Sequence, residues 1–279
     1  EIVPGSRPTA GEATAPIGRA EFSGLQRAVE GRAPTEYEAI RQGQNQARGA
    51  AIGKIAGDEG DMKMAKGVRG MMTEQLYKEA GEAGIDAGMA SAMKPQIQNI
   101  LKRPAIGPAI AKAKEIYGNE SITLAKTGDV RGLQLVKQSL DDMVERAGEP
   151  GSSIGKNQLD AVKLVRSDLI KVMEEISPKL RQADTAYRDW SKPINQMQVG
   201  GYLKDKLIPA LNDSGATANQ RAASFAQAQR DAPRTLKGAG VDKYGDDLGA
   251  ILDSPGQMQA VTGIGKDLAR TATHERLAQ

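Results

Sequence analysis

Histidine and cysteine, the residue types that most often carry metal-binding and nucleophilic chemistry, are almost absent from this chain. His274 is the only histidine among 279 residues, and there is no cysteine. Structural zinc sites are built mainly from these two residue types, and a serine–histidine–aspartate triad needs a histidine beside its nucleophile. We therefore expect His274 to be a solvated side chain near the chain end, and disulfide bonds are excluded.

Two glycine-rich segments come close to the phosphate-binding pattern G-x-x-x-x-G-K-[ST]. In GSSIGKN (151–157) the two glycines are one residue too close, and Asn157 replaces the hydroxyl that would bind magnesium. In VTGIGKD (261–267) the upstream glycine is missing and Asp267 stands at the hydroxyl position. Neither segment follows a predicted strand. We expect a loop between helices in the first and a helix start in the second, and no bound cofactor.

A third segment resembles the lytic transglycosylases, whose catalytic glutamate lies in a Glu-Ser pair ahead of a G-L-M-Q motif. Here Glu120-Ser121 precede Gly132-Leu133-Gln134. The spacing is several residues too short and the methionine is missing, whereas helix capping accounts for the polar residues of this stretch. Peptidoglycan cleavage is kept as an alternative, and the sequence favours a protein that is not an enzyme.

Three acidic pairs are the remaining candidates for a metal site: Asp141-Asp142, Glu174-Glu175 and Asp246-Asp247. Neighbouring residues on a helix point about 100° apart, so a pair cannot close around one ion without further oxygen ligands. We predict that these carboxylates are solvated or pair with lysine and arginine, and that the chain holds no metal.

Six methionines lie within residues 62–93: Met62, Met64, Met71, Met72, Met89 and Met93. Methionine adapts its shape and suits both irregular cores and binding surfaces. We favour the first role, core filling, and keep a partner subunit or a membrane surface as the alternative.

The composition narrows the class of protein. Aromatic residues make up 3% of the chain, glycine occurs 32 times, and the net charge is +3, from 38 basic and 35 acidic residues. No basic block stands out, as it does in dedicated nucleic-acid binders, so only non-specific contact with DNA is left open. No apolar run reaches the 18 residues or so of a membrane span.

The elements that would position these residues are helices. Apolar residues at Leu133, Val136, Leu140 and Met143 follow the 3-4 spacing of a helix packed against neighbours. The apolar residues of 162–176 have the same spacing. No window alternates at the period of a strand. We predict an elongated all-α protein in four segments: an extended N-terminal arm (1–20), a helical region (21–120), a central antiparallel helical bundle (121–200) and a C-terminal helical region (201–279).

The third helix of that bundle carries the only tryptophan. Its apolar seam runs through Leu180, Ala183, Tyr187, Trp190, Ile194 and Met197. We predict that Tyr187 and Trp190 are packing anchors of the core or of an interface. A buried Trp190 would then contribute about 3–5 kcal/mol. Pro193 lacks a backbone N–H, so we expect the helix to kink or stop before it.

Three segments together resemble pieces of large virion-associated proteins of tailed bacteriophages and prophages. IVPGSRPTAGEATAP (2–16) resembles a V-P-G-x-x-P-T-x-x-x-A opening, and VRGLQLVKQSLDDMVERAG (130–148) resembles an L-x-x-V-K-x-x-L-D-D helix. SPKLRQADTAYRDWSKPINQMQVGGYL (177–203) resembles an A-Y-x-x-x-S-x-P-I-N-Q-M-x-x-G segment. Some proteins of this kind are internal virion, or ejection, proteins, which are packaged with the genome and delivered with it.

This resemblance implies the function of the proteins that the three segments resemble. We expect a non-enzymatic virion protein that forms homo-oligomers through helix faces and assists genome delivery into the host envelope or periplasm. The implied partners are portal or tail proteins, the host envelope membrane and, non-specifically, packaged DNA. A tail or head–neck component that stays in the particle is the alternative, and a peptidoglycan-degrading virion enzyme is the third.

Overall fold

The chain is helical in every part that the structure describes. A computed structural model describes residues 1–14, 20–83, 87–117, 130–146, 154–208, 221–242 and 245–277, and no strand occurs among them. The all-α class is therefore confirmed. The helices are α1 (Ala10–Thr14), α2 (Ala20–Glu30), α3 (Pro34–Ala56), α4 (Glu59–Glu82), α5 (Ala87–Leu101), α6 (Gly107–Tyr117), α7 (Val130–Arg146), α8 (Lys156–Ile176), α9 (Pro178–Leu207), α10 (Ala222–Arg230), α11 (Ala232–Gly238), α12 (Leu248–Ile251) and α13 (Gln257–Leu277).

Local sequence signals set the starts of the long helices. Ser177 accepts a hydrogen bond at Oγ from the Leu180 amide, 3.2 Å away, and Pro178 occupies the first helical position of α9. At the start of α4, the Asp58 and Asp61 carboxylates each accept a hydrogen bond from the other's backbone amide. Both caps are formed by side chains within three positions of the amide that they bind.

The chain forms two compact units, which differ from the four segments that the sequence predicted. Unit 1 consists of Glu1–Gly67 and Ser191–Gln279, and unit 2 of Val68–Trp190. Unit 1 thus joins the two ends of the chain. Sequence periodicity could not indicate this, because it reports which face of a helix is apolar and not which distant helix covers that face.

The core of unit 2 is aliphatic and lies among α4 to α9. Leu133, Val136 and Leu140 are fully buried in it, and Met143 packs at its margin. The matching residues of α8 are buried with them: Val162, Val165, Leu169, Val172 and Ile176. The 3-4 spacing places these residues on one face of each helix, and that face is the one that packs.

The core of unit 1 is centred on α10 and α13. Phe225 is its one fully buried aromatic residue, and it packs with a group of aliphatic side chains that includes Val3. Gly200 lets α9 approach α3 closely, because a Cβ atom there would lie 2.6 Å from the backbone nitrogen of Ala56. No other residue would fit at this position without moving one of the two helices.

The N-terminal segment, residues 1–14, is not the extended arm that the sequence predicted. Val3 and Ser6 are buried, and Glu12 lies buried on the short helix α1. The prolines, the glycines and the missing apolar period of residues 1–20 favoured an extended arm, but such local features do not show which distant helices cover a segment. The polar side chains of this segment find buried partners more than 30 residues away.

Candidate functional site

The largest concentration of chemically capable side chains is buried in unit 1. It brings together the N-terminal segment, α2, α3 and α13. We refer to it as the buried polar cluster, and its members are Ser6, Glu12, Gln26, Gln44, Arg48, Asp267, Arg270, Thr271 and His274. Burying so many polar groups is costly unless each finds a partner, so the contacts of the cluster decide what it can do.

Asp267 is the centre of the cluster. Its Oδ2 accepts hydrogen bonds from Arg48 Nε at 2.7 Å and from Ser6 Oγ at 2.5 Å. Its Oδ1 lies 2.6 Å from the terminal nitrogen of Arg270, one turn along α13. The contact between Asp267 Oδ1 and Arg270 is an ion pair and not a hydrogen bond. Within the described ranges, neither of its two atoms has a partner in hydrogen-bond geometry. One carboxylate therefore compensates two buried guanidinium groups.

Glu12 ties the N-terminal segment to α3 and α13. Its Oε2 accepts from the Thr9 amide at 2.9 Å and from Gln44 Nε2 at 2.7 Å, and its Oε1 accepts from Thr271 Oγ1 at 2.8 Å. Burial alone would raise the pKa of Glu12. The three hydrogen bonds and the charge of Arg270 outweigh burial and hold the pKa below its ordinary value of 4.5.

Unit 1 should therefore lose stability in acid through Glu12. A carboxyl group whose pKa is lowered by folding stabilises the fold above its ordinary pKa, and this contribution disappears as the pH falls through the folded-state pKa. Chemical denaturation at about pH 6 and about pH 3.5 should show a smaller loss of unfolding free energy for Glu12→Gln than for the wild type. Glu36→Gln, on the exposed start of α3, is the control and should keep the wild-type loss. An unchanged acid response in Glu12→Gln would contradict this role.

His274 is not the solvated side chain that the sequence predicted. Its exposed fraction is 3%, and its Nε2 lies 3.1 Å from Gln26 Nε2 and 3.9 Å from a carboxylate oxygen of Glu30. Proximity to the chain end was a poor guide, because the end of α13 packs against α1 and α2. Its partners lie more than 240 residues earlier in the chain.

The cluster does not have the geometry of a catalytic site. The Ser6 hydroxyl donates to Asp267 and so is not activated by His274. Apart from Thr271, each member of the cluster has an exposed fraction of 9% or less, so a substrate has no access to its polar atoms. These features are those of a structural junction that fastens the N-terminal segment.

The predicted anchors Tyr187 and Trp190 have different surroundings. Tyr187 is half-buried, with its ring at 6.4 Å from that of Tyr77 in an edge-to-face contact and Arg69 Cζ 4.5 Å from its ring centroid. The Tyr77 hydroxyl donates to Asp184 at 2.6 Å, and burial and this bond raise the pKa of Tyr77. The phenol therefore stays protonated. It keeps its hydrogen bond to Asp184, which joins α4 to α9 within unit 2.

Trp190 is not a buried wedge. Its exposed fraction is 39%, and it belongs to neither apolar core. Leu180 and Ala183, earlier on the same seam, are buried. A 3-4 seam stays covered only as long as neighbouring helices run beside it, and unit 2 ends at Trp190.

Pro193 does not stop α9, which continues to Leu207 with Pro193 exposed on its surface. Ile194 is buried, and Met197 is half-buried with its sulfur against Gly57. Gln196 makes a contact that the sequence did not reveal. Gln196 donates to Asp253 at 2.8 Å and accepts from Ser254 at 3.1 Å, which joins α9 to the segment before α13.

The remaining candidates form no site in the parts that the structure describes. No group of histidine, cysteine or acidic residues there could hold a metal ion, and no described helix is long and apolar enough to cross a membrane. Asp141 pairs with Lys137 and Arg166. VTGIGKD lies inside α13 and is not a helix start, while Glu120-Ser121 and Gly151 lie outside the described residues.

Core filling was the wrong prediction for most of the methionines. Met64 and Met71 are more than two-thirds exposed, and Met72 and Met89 are exposed as well. On α2, Phe22, Leu25 and Val29 are exposed as well, and their spacing places them on one face of the helix. Exposed apolar side chains grouped in this way are typical of surfaces that bind a partner.

No protein-family model, no curated protein and no solved structure matches the chain. Function is therefore inferred from the residues and their contacts.

Proposed function

We propose that the chain is a non-enzymatic virion protein of a tailed bacteriophage or prophage, of the internal, or ejection, type. It self-associates through exposed apolar helix faces and assists genome delivery into the host envelope or periplasm. Portal or tail proteins are its further partners, the host envelope membrane is a surface it meets on delivery, and its contact with packaged DNA is non-specific. The proposal starts from the resemblance of residues 2–16, 130–148 and 177–203 to virion-associated proteins.

The observation that carries the self-association is the outward face of α2. Phe22, Leu25 and Val29 follow the i, i+3, i+7 spacing of one helix face, and their exposed fractions are 42%, 65% and 42%. Gln26, one turn after Phe22, is buried and is bonded to the Gly11 amide, so the exposed apolar residues lie beside the inward-facing side of α2. A helix that turns its apolar face outward loses the free energy of burial unless a second surface covers it.

The cores are compatible with passage through a narrow channel. There is no disulfide to break, and both cores consist almost wholly of aliphatic side chains. Because the net stability of a domain is only about 5–15 kcal/mol, a chain without covalent cross-links can be unfolded and threaded. The near balance of basic and acidic residues keeps its affinity for the DNA packaged beside it low.

The test is quantitative mass spectrometry of purified virions before and after genome release. The chain should be present in full particles and lost from emptied ones, and cross-linking in full particles should join copies of the chain through peptides that contain α2. Retention in emptied particles would instead support a tail or head–neck component. Absence from full particles would reject a virion function altogether. Release of muropeptides by the purified chain would support the peptidoglycan-degrading alternative.

A further inference from the structure

Helix α4 has an outward face with the spacing of a helix that packs along another helix. Its two buried residues, Thr73 and Ala80, lie on the inward side. The outward face, which we call the α4 seam, consists of six exposed residues spaced 4-3-4-3-4: Gly60, Met64, Gly67, Met71, Glu74 and Lys78. Such a repeat is typical of helices that pair lengthwise. Because α4 is one unbroken helix, the helix period alone fixes the relative positions of these residues.

The centre of the α4 seam combines exposed methionines with an exposed glycine. Met64 and Met71 have exposed fractions of 69% and 68%, and a separation of seven residues places them on the same side of the helix. Gly67 lies between them, and a Cβ atom there would meet nothing within 4 Å. The packing of the chain therefore does not require glycine at this position, although glycine destabilises a helix interior. A second helix would use the space above Gly67 for a methionine side chain.

The charges beside the α4 seam determine which way a second α4 helix would run. Neither Lys63 nor Glu74 has an ion-pair partner among the residues that the structure describes. In an antiparallel pair with Gly67 opposite Met71 of the second copy, Lys63 lies level with Gln75 of that copy and beside its Glu74. In a parallel pair, Lys63 would lie beside Lys63 and Glu74 beside Glu74. Opposite charges across a helix pair set its orientation, so the charges favour the antiparallel pair.

We propose that a second copy of the chain docks on the α4 seam in the antiparallel orientation. The two-fold axis repeats every contact, so Met71 covers Gly67 twice and Lys63 meets Glu74 twice. The α4 seam is a different surface from the exposed face of α2. The proposal rests on the self-association of the proposed function and not on its virion context, which the mass spectrometry of emptied particles tests separately.

The test is zero-length cross-linking with a carbodiimide, which joins a lysine to a carboxylate in contact with it. Purified full-length chain is used as a mixture of ¹⁵N-labelled and unlabelled copies. Analytical ultracentrifugation should show a dimer, and its cross-linked peptides should join Lys63 of one label to Glu74 of the other. Within one helix these residues are about 16 Å apart, so this link forms only between copies. A dimer linked elsewhere would overturn the α4 seam and leave self-association intact, and a monomer at every concentration would overturn both.

Charge-reversal variants test the orientation. Lys63→Glu should weaken dimerisation about tenfold, because the two-fold axis makes the change count twice. Adding Glu74→Lys to it should restore the wild-type dimer. Lys102→Glu, which reverses an exposed charge just after α5, is the control and should dimerise as the wild type does. Failure of the double variant to regain dimerisation would overturn the antiparallel pairing.

Gly67→Leu tests the close approach of the two helices. Its side chain enters open space in the single chain, so circular dichroism should show wild-type helix content and stability. Dimerisation should weaken about tenfold, because the leucine occupies the space that Met71 of the second copy needs. Wild-type dimerisation of Gly67→Leu would also overturn the proposal.

Discussion

Asp267→Asn should lower the free energy of unfolding by about 3–5 kcal/mol, the range for breaking a buried ion pair. The substitution removes the one negative charge that Arg48 and Arg270 share, while both guanidinium groups stay buried. It also weakens the acceptor that the Ser6 hydroxyl uses. The measurement is urea denaturation at neutral pH, followed by circular dichroism at the helix band.

The control for this prediction is Asp246→Asn. Asp246 is exposed on the surface of the same unit, and surface substitutions usually change stability by less than about 0.5 kcal/mol. A second comparison uses a triple variant in which Arg48, Asp267 and Arg270 are all replaced by apolar residues of similar size. This variant should regain much of the stability that Asp267→Asn loses, because no buried charge is left unpaired. Equal stability of Asp267→Asn and Asp246→Asn would contradict the central place of Asp267.

Phe225→Ala should destabilise unit 1 by about 3–5 kcal/mol, whereas Trp190→Ala should cost less than about 1 kcal/mol. Phe225 is fully buried in an otherwise aliphatic core, so its removal leaves a cavity. Trp190 is 39% exposed and outside both cores, so its removal leaves little empty volume. Circular dichroism during denaturation measures both variants, because it does not depend on tryptophan fluorescence.

The comparison of these two variants also shows whether Trp190 belongs to an interface or to a core. If Trp190→Ala keeps its stability but fails to assemble with further copies or with virion proteins, Trp190 belongs to an interface. If instead it loses as much stability as Phe225→Ala, the result would contradict the exposed position of the ring and make Trp190 a core residue.

Local patterns of the sequence predicted the helices and their apolar faces well. The spacing of Leu133, Val136 and Leu140 depends only on the period of the α-helix, and their burial follows once a neighbouring helix is present. The caps at Asp58 and Ser177 are equally local, because each involves residues within three positions. Such features require no knowledge of the rest of the chain.

The buried polar cluster could not be predicted in the same way. Ser6 and Asp267 are 261 positions apart, and Gln26 and His274 are 248 apart. No period in the sequence links them. On α2 the usual rule is even reversed, since Gln26 points inward and Leu25 outward. The signal that was present, a lone histidine among polar residues on the last helix, fits a solvated chain end equally well.

The position of Trp190 shows a different limit of sequence patterns. The seam of α9 continues in sequence from Leu180 to Met197, yet Trp190 and Pro193 on this helix are exposed. A periodic seam indicates which side of a helix could pack, but the ends of the neighbouring helices decide how much of it does.

Amide hydrogen exchange of residues 1–14 tests most directly whether the buried polar cluster fastens the N-terminal segment. In the wild type at neutral pH, the Ser6 amide, bonded to the Val3 carbonyl at 2.9 Å, and the Gly11 amide, bonded to Gln26, should exchange slowly. Both should lose this protection in Asp267→Asn and keep it in Asp246→Asn. Exchange in the wild type as fast as that of an unfolded peptide would contradict the packed segment and restore the extended arm that the sequence predicted.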